Sequence, residues 1–256
     1  MRLHLTAAAV LLGLASCTTS PSLPPLAASD GAPLDLLLLG EQHDAEEHQD
    51  MHRKVVDALA RRGTLAAVVL EMAERGRSTA GLPSTANEAQ VREALHWGPG
   101  GWSWDAYRPA VMAAVAAGVP VLGGNLPRPH MREAMADAQL DAALPGQALR
   151  DQQEAVRHGH CNLLPEHQIA PMARIQIARD RTMAQTLQQA ATRGKTVVLL
   201  AGGRHVDERL GVPLHLPPGL RVQTMKWPPP PPKKDYCAEL EAQLKSRGAA
   251  RPPAPQ

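Results

Sequence analysis

Phenylalanine is absent from this 256-residue chain, tyrosine occurs twice and tryptophan four times. With so few rings the core must be filled by Leu, Val, Ala and Met, and base stacking on single-stranded nucleic acid is excluded as a main activity. Charge of one sign is also lacking: a formal net charge of +2 leaves no basic footprint for nucleic acid. The apolar stretch at residues 5–14 is too short to cross a bilayer. Two local signatures are missing as well. Without Gly-x-Ser-x-Gly there is no serine elbow, and without His-Glu-x-x-His there is no helical zinc site of that kind.

What the chain does have is a short motif, Gly-x-x-His, used twice where an apolar run ends. Gly40-Glu41-Gln42-His43 follows the run at residues 34–39, and Gly202-Gly203-Arg204-His205 follows residues 196–201. Two further runs end in polar groups: residues 66–70 lead into Glu71, and residues 119–122 pass through two glycines to Asn125. In open α/β sheets ligands sit beyond the carboxyl ends of the strands. Glu41, His43, Glu71, Asn125 and His205 are therefore expected to converge.

Between these runs the pattern alternates strand and helix. Asp44 with Glu47 resembles a capping box opening a helix up to about residue 62, and helices are expected over residues 87–96, 107–117, 128–142 and 171–192. Such alternation predicts an α/β domain whose mostly parallel sheet is covered by helices on both faces, with the site at the C-terminal ends of the strands. The folded domain is assigned to residues 34–225, and residues 226–256 read as a Pro-rich, largely disordered tail with a short helix after Cys237. On the long helix, Arg179 and Asp180 are expected to pair beneath the pocket.

The start reads as a targeting segment. Arg2, the apolar stretch and the small residues after it make residues 1–16 a signal peptide. Leu14-Ala15-Ser16-Cys17 resembles the lipobox of bacterial lipoproteins, which implies that Cys17 carries the lipid, palmitate included, and that residues 17–33 form a tether. The absence of Asp after Cys17 points that resemblance to the outer membrane, facing the periplasm. Export would leave Cys161 and Cys237 in an oxidising compartment, where an even pair suggests a disulfide. Spacing alone leaves two free thiols equally open.

Seven segments in the same order resemble the ChaN-like family of haem-binding lipoproteins. They are residues 38–44 with His48; Val68-Val69-Leu70-Glu71-Met72; Trp104 with Tyr107; Gly118-Val119-Pro120-Val121 leading to Asn125-Leu126-Pro127-Arg128; His160-Cys161; residues 176–183 with Arg179-Asp180; and residues 199–206 ending in Gly202-Gly203-Arg204-His205-Val206. The likeness spans about residues 34–225. The family is grouped with erythromycin-esterase-like and Tiki-like proteins, which implies an α/β fold with the Gly-x-x-His and strand-end Glu residues in one cleft. It implies haem as the cofactor, a role in haem and iron acquisition, and a homodimer that brings haems together.

A haem binder needs an apolar slot, an axial ligand and cations for the propionates. The family's use of a tyrosine ligand points to Tyr107. Met112, Met131 and Met135 are candidates for the slot, and Arg108 and Arg128 for the propionates. Covalent attachment in its usual form is excluded, because there is no Cys-x-x-Cys-His. The rival class is a hydrolase. Here His43, Glu71 and His205 would hold a divalent metal, or Glu41, His43, Glu71 and His205 would do metal-free acid/base catalysis. His48 and His52, one helical turn apart, have a ligand spacing but read more simply as histidines packed on the first helix. Whether the chain is an enzyme at all stays open at this stage.

Overall fold

The computed structural model describes residues 23–249. The signal segment 1–16, the lipidation candidate Cys17 and the last residues, 250–256, lie outside the described residues.

Four apolar runs become the central strands, β1 (Leu36–Glu41), β2 (Leu65–Glu74), β3 (Val121–Asn125) and β4 (Thr196–Gly202), and a fifth, β5 (Val222–Lys226), closes one edge. All pairings are parallel, in the order β3-β2-β4-β1-β5. Parallel strands covered on both faces read as unbroken hydrophobic runs, and Leu36, Leu37, Leu38 and Leu39 are all fully buried. Alternation then splits the core. Leu37, Leu39, Val68, Leu70, Val198 and Leu200 face α1 (Glu46–Arg61) and α3 (Trp104–Ala116). Leu36, Leu38, Val69, Val197 and Leu199 face α6 (Glu166–Ala190). At about 25 cal/mol per Å² of apolar area buried, these two layers supply most of the driving force for folding.

Helix starts obey local chemistry. Asn87 caps α2 (Glu88–Ala94) in a capping box with Gln90. The box expected from Asp44 and Glu47 does not form: Ala45 is the N-cap of α1 without a side-chain bond. Asp44 instead accepts from Gln42, the Lys233 N–H and the Tyr236 hydroxyl. The single helix expected over residues 128–142 is broken into a 3-10 turn, α4 (Met131–Ala136) and a second 3-10 stretch, because Asp137 turns extended and caps that second stretch by accepting the Gln139 N–H. An amphipathic α5 (Gly146–Gly159) precedes α6.

The segment after residue 225, read from the sequence as a largely disordered tail with a short helix, makes contacts back to the domain. Trp227 is buried against His48 and His52, and residues 233–236 bond to the start of α1. Cys237, at the start of α7 (Tyr236–Ala249), is joined to Cys161, with 5.6 Å between their Cα atoms. A polyproline stretch makes few contacts of its own, so these anchors at either end hold it. Among the described residues no helix is long and apolar enough to cross a membrane.

Candidate functional site

Strand parity places the first two carboxylates. Glu41 continues the Leu37–Leu39 side of β1 and points toward α1 and α3, whereas Glu71 continues the Val69 side of β2 and points toward α6. Both are buried, at 5% and 3% exposed. The Tyr107 hydroxyl of α3 donates to Glu41 Oε1. His43, two residues past β1, brings Nδ1 to 2.7 Å from the same oxygen and 3.3 Å from the tyrosine hydroxyl. Its backbone carbonyl accepts from Gln49 of α1, which fixes the loop.

His43 then reaches around the end of the sheet. Its Nε2 lies 3.9 Å from Glu71 Oε2, which accepts the Gly202 N–H at 2.7 Å. The Glu71 Oε1 lies 3.3 Å from His205 Nε2, and His205 Nδ1 lies 2.6 Å from Asp180 Oδ1 of α6. Glycine at position 202 is needed for this contact: a Cβ there would sit 2.8 Å from His43 Nε2. On the other flank, His52 Nδ1 comes to 3.4 Å of Glu41 Oε2, though neither atom has a hydrogen-bond partner. Polar groups from both faces of the sheet thus meet at its carboxyl edge.

The electrostatics come from burial and pairing. Burial alone would lower the His205 imidazole, but the carboxylates of Glu71 and Asp180 on either side raise it to about 10, so it is an imidazolium at neutral pH. Burial pushes Glu71 up, yet the His205 charge outweighs it and holds the carboxyl at about 2. Asp180 rises to about 6, because burial there exceeds the pull of His205. Burial lowers His43, and the Glu41 hydrogen bond and the Glu71 charge more than offset that, leaving it raised. His52, fully enclosed, is driven down to about 4 and stays neutral. Tyr107 is pushed far up by burial and by the Glu41 charge, so the phenol keeps its proton. Only His43 meets solvent among these groups, with its side chain 35% exposed and its ring 4.4 Å from that of Trp102.

The four residues expected from the strand ends, Glu41, His43, Glu71 and His205, are brought together, and Asn125 binds the Glu71 carbonyl through its amide at 2.8 Å. The other expectations fare differently. Tyr107 is 2% exposed and sits inside the cluster rather than on a cleft wall. To ligate iron it would have to give up Glu41 and its proton. Arg108, one residue on, turns to the surface and pairs with Glu88 at 3.0 Å. His48 is held by the Gln42 N–H and the Pro228 carbonyl, a packing role. The Arg179–Asp180 pair does not form, since successive helical positions diverge and Asp180 turns to His205. Among the described residues no group of three or more His, Cys, Asp or Glu side chains is arranged to hold a metal ion. His43 and His205 lie beside Glu71 with their ring nitrogens facing carboxylates. Asp180 was legible only as a helix charge, and the roles of Tyr107 and Trp102 depend on contacts across the sheet edge.

Two clefts flank Trp102. One, of about 560 Å3, is lined by His43 with Asp44, Glu46, Asp50, Asp105, Arg53 and Lys233. The other, of about 590 Å3, has Met72, Trp97, Trp102, Leu126 and Met131 as its apolar wall and Arg77, Arg128, Arg179, Glu74, His96 and Asn125 as its polar groups. Both volumes are in the range of small-molecule sites. The Trp97 indole N–H donates to the Trp102 carbonyl at 2.9 Å and ties down the glycine-rich loop between them.

Residues 28–216 match the model of a family described as haem-binding uptake, Tiki superfamily, ChaN. Among solved structures the chain is similar to one described as cofacial haem binding to ChaN of Campylobacter jejuni, with a TM-score of 0.62 at 22% identity, over 75% of this chain and 81% of that one. That likeness is one of fold. No curated protein matches the sequence. With the family model covering β1 to β4, from before the first Gly-x-x-His motif to beyond the second, the chain belongs to the ChaN family of the Tiki superfamily.

Proposed function

We propose that this domain binds haem in the tryptophan-walled cleft beside the Glu41–His43–Glu71–His205–Asp180 cluster. The observation that carries this, given the family, is the make-up of that cleft: two indoles, two thioethers and a leucine together with three arginines that form no ion pair among the described residues. Haem presents an apolar face and a carboxylate edge, and a cavity of about 590 Å3 lined by both apolar and cationic side chains offers groups for both. Two buried polar atoms of residues lining the cleft, Asn125 Oδ1 and Arg179 Nε, have no partner among the described residues. Such atoms are costly to leave unmade and are the kind a ligand satisfies. The acidic cleft on the other side of Trp102 suits a dianion poorly.

Lipidation of Cys17, placement on the outer membrane facing the periplasm, a homodimer and a role in haem and iron acquisition belong to the same proposal. They are supported by the lipobox-like segment and the family. The test is titration of the purified protein with ferric haem, monitoring the Soret band, against an acid-denatured control. A saturable, stoichiometric shift is expected, and its absence would refute the reading. Tyr107→Phe is expected to leave that spectrum unchanged.

A second reading rests on a separate observation, the half-exposed His43 backed by Glu41 and Tyr107. An imidazole at a cleft mouth with a buried carboxylate behind it is laid out for general acid–base work. Hydrolysis of an ester or amide substrate, lost in His43→Ala while haem binding persists, would support it. The same residual rate in the variant would end it.

A further inference from the structure

Resting on the haem reading of the tryptophan-walled cleft, we propose that this cleft selects its ligand by two carboxylates, held by Arg77, Arg128 and Arg179, and so takes planar apolar dicarboxylates in one orientation. The three guanidiniums come from three different places: the turn after β2, the turn after β3, and the middle of α6. None of them forms an ion pair among the described residues, whereas Arg53, Arg108, Arg157, Arg174 and Arg221 all do. Cations left unpaired together are unusual, because each guanidinium offers a fork of donors that fits a carboxylate in two parallel bonds. Arg179 goes further, since its Nε is buried with no acceptor. Such a group costs free energy until something accepts from it.

The charge balance of the two clefts decides where a dianion goes. Besides the three arginines, the titratable groups lining the tryptophan-walled cleft are Glu74 and His96, and Glu74 already accepts the Arg128 backbone N–H at 3.1 Å. Across Trp102 the lining carries Asp44, Glu46, Asp50 and Asp105. Its two cations are already taken, Arg53 by Asp57 at 2.9 Å and Lys233 by Glu46 at 2.5 Å. A carboxylate-bearing ring is drawn to one cleft and repelled from the other. With its carboxylates at the arginines, the ring lies along Met72, Met131 and the indoles, so one polar edge and one apolar face are read together.

The test uses the full chain with three probes: ferric protoporphyrin IX, iron-free protoporphyrin IX and the dimethyl ester of the latter. Both diacids are expected to bind at least about tenfold more tightly than the ester, with the preference shrinking as salt is raised. Arg128→Gln and Arg179→Gln are each expected to weaken the diacids about ten- to hundredfold and to leave the ester unchanged. Should Arg179→Gln not fold, Arg77→Gln, which lies in a turn, replaces it. Ester and diacid binding alike, or arginine variants that bind the diacids as the parent does, would overturn carboxylate selection while leaving haem binding standing. No binding of any of the three probes would overturn both.

Discussion

Replacing His205 with alanine is the sharpest test of the buried cluster. The side chain is 9% exposed and joins two carboxylates that are nearly fully enclosed, at 2.6 Å from Asp180 and 3.3 Å from Glu71. Raising an imidazole from 6.5 to about 10 corresponds to roughly 5 kcal/mol in favour of its charged form. That is an upper figure, since the same His205–Glu71 attraction also lowers Glu71, and Asp180 remains raised. Removing one partner of a buried pair costs about 3–5 kcal/mol, a large share of a typical domain's total stability. Each group's share depends on pH in a defined direction. In the parent, the His205 contribution is fully present below pH 6.5 and disappears as pH rises through about 10. That of Glu71 is present above 4.5 and is lost as pH falls through about 2. In His205→Ala the two carboxylates lose their cation, so their folded values rise and they take up protons on folding. The variant therefore recovers stability as pH falls from 8 to 5, while the parent's His205 contribution, already partly lost at pH 8, is regained in full over the same range, so the two changes oppose each other in the deficit. Urea unfolding monitored by circular dichroism at those two pH values, with linear extrapolation, measures it. His205→Gln, neutral but hydrogen-bonding, should resemble alanine near pH 8. A deficit below about 1 kcal/mol at both pH values would refute the charge reasoning.

Three other perturbations test neighbouring contacts. Tyr107→Phe removes a donor from buried Glu41 and is expected to cost about 1–3 kcal/mol and to raise the His43 imidazole further, read by NMR titration; unchanged stability would show that the bond contributes nothing. Gly202→Ala puts a Cβ 2.8 Å from His43 Nε2 and 3.5 Å from Glu71 Oε2, so the His43 ring is expected to leave its seat while the thermal midpoint falls little; a crystal structure with His43 unmoved would contradict this. Cys237→Ser opens a bridge spanning 76 residues, for which chain entropy allows at most about 4.5 kcal/mol. Because the bridge ties a tail to the turn after α5 rather than strand to strand, the sheet should stay folded and trypsin should cut at Lys233 and Lys234 much faster than in the parent. Equal cleavage rates would mean that the contacts of Trp227, Lys233 and Tyr236 alone hold the tail.

The central strands were legible because of where they lie. A parallel strand packed on both faces must be apolar at every position, and residues 36–39, 67–70 and 197–201 carry that signature without interruption. The strand β5 was not, for the converse reason: Val222-Gln223-Thr224-Met225-Lys226 is a half-buried edge whose order comes from pairing with β1, more than 180 positions earlier in the chain. The tail's contacts were hidden the same way. Five prolines in a row predict a stretch with no core of its own, and that is correct locally; what fixes it is a tryptophan, two hydrogen-bonded side chains and a cysteine whose partners lie far away in sequence.

Half of the site was legible on the same principle. A charged residue directly after an apolar parallel strand has few places to go except the carboxyl edge of the sheet, and that places Glu41, Glu71 and, through their turns, His43 and His205. What sequence order does not show is which helix each one faces. Parity sends Glu41 to α1 and α3, where Tyr107 donates to it, and Glu71 to α6, where His205 links it to Asp180; both helix residues look like ordinary helix positions until the packing is known. This division also explains why two functions can be read from one edge. Glu71, His205 and Asp180 satisfy one another, so that part of the cluster needs no ligand to exist, whereas Arg77, Arg128 and Arg179 form no ion pair among the described residues. Asn125 connects the two, with its amide N–H on the Glu71 carbonyl and its oxygen without a partner at the arginine-lined cleft. A ligand that bonds to that oxygen would touch a strand end that also holds the cluster, and coupling between haem and the acid–base cluster has three routes: that side chain, the end of β2 that carries Glu71 beside Met72, and the ring of Trp102 against His43.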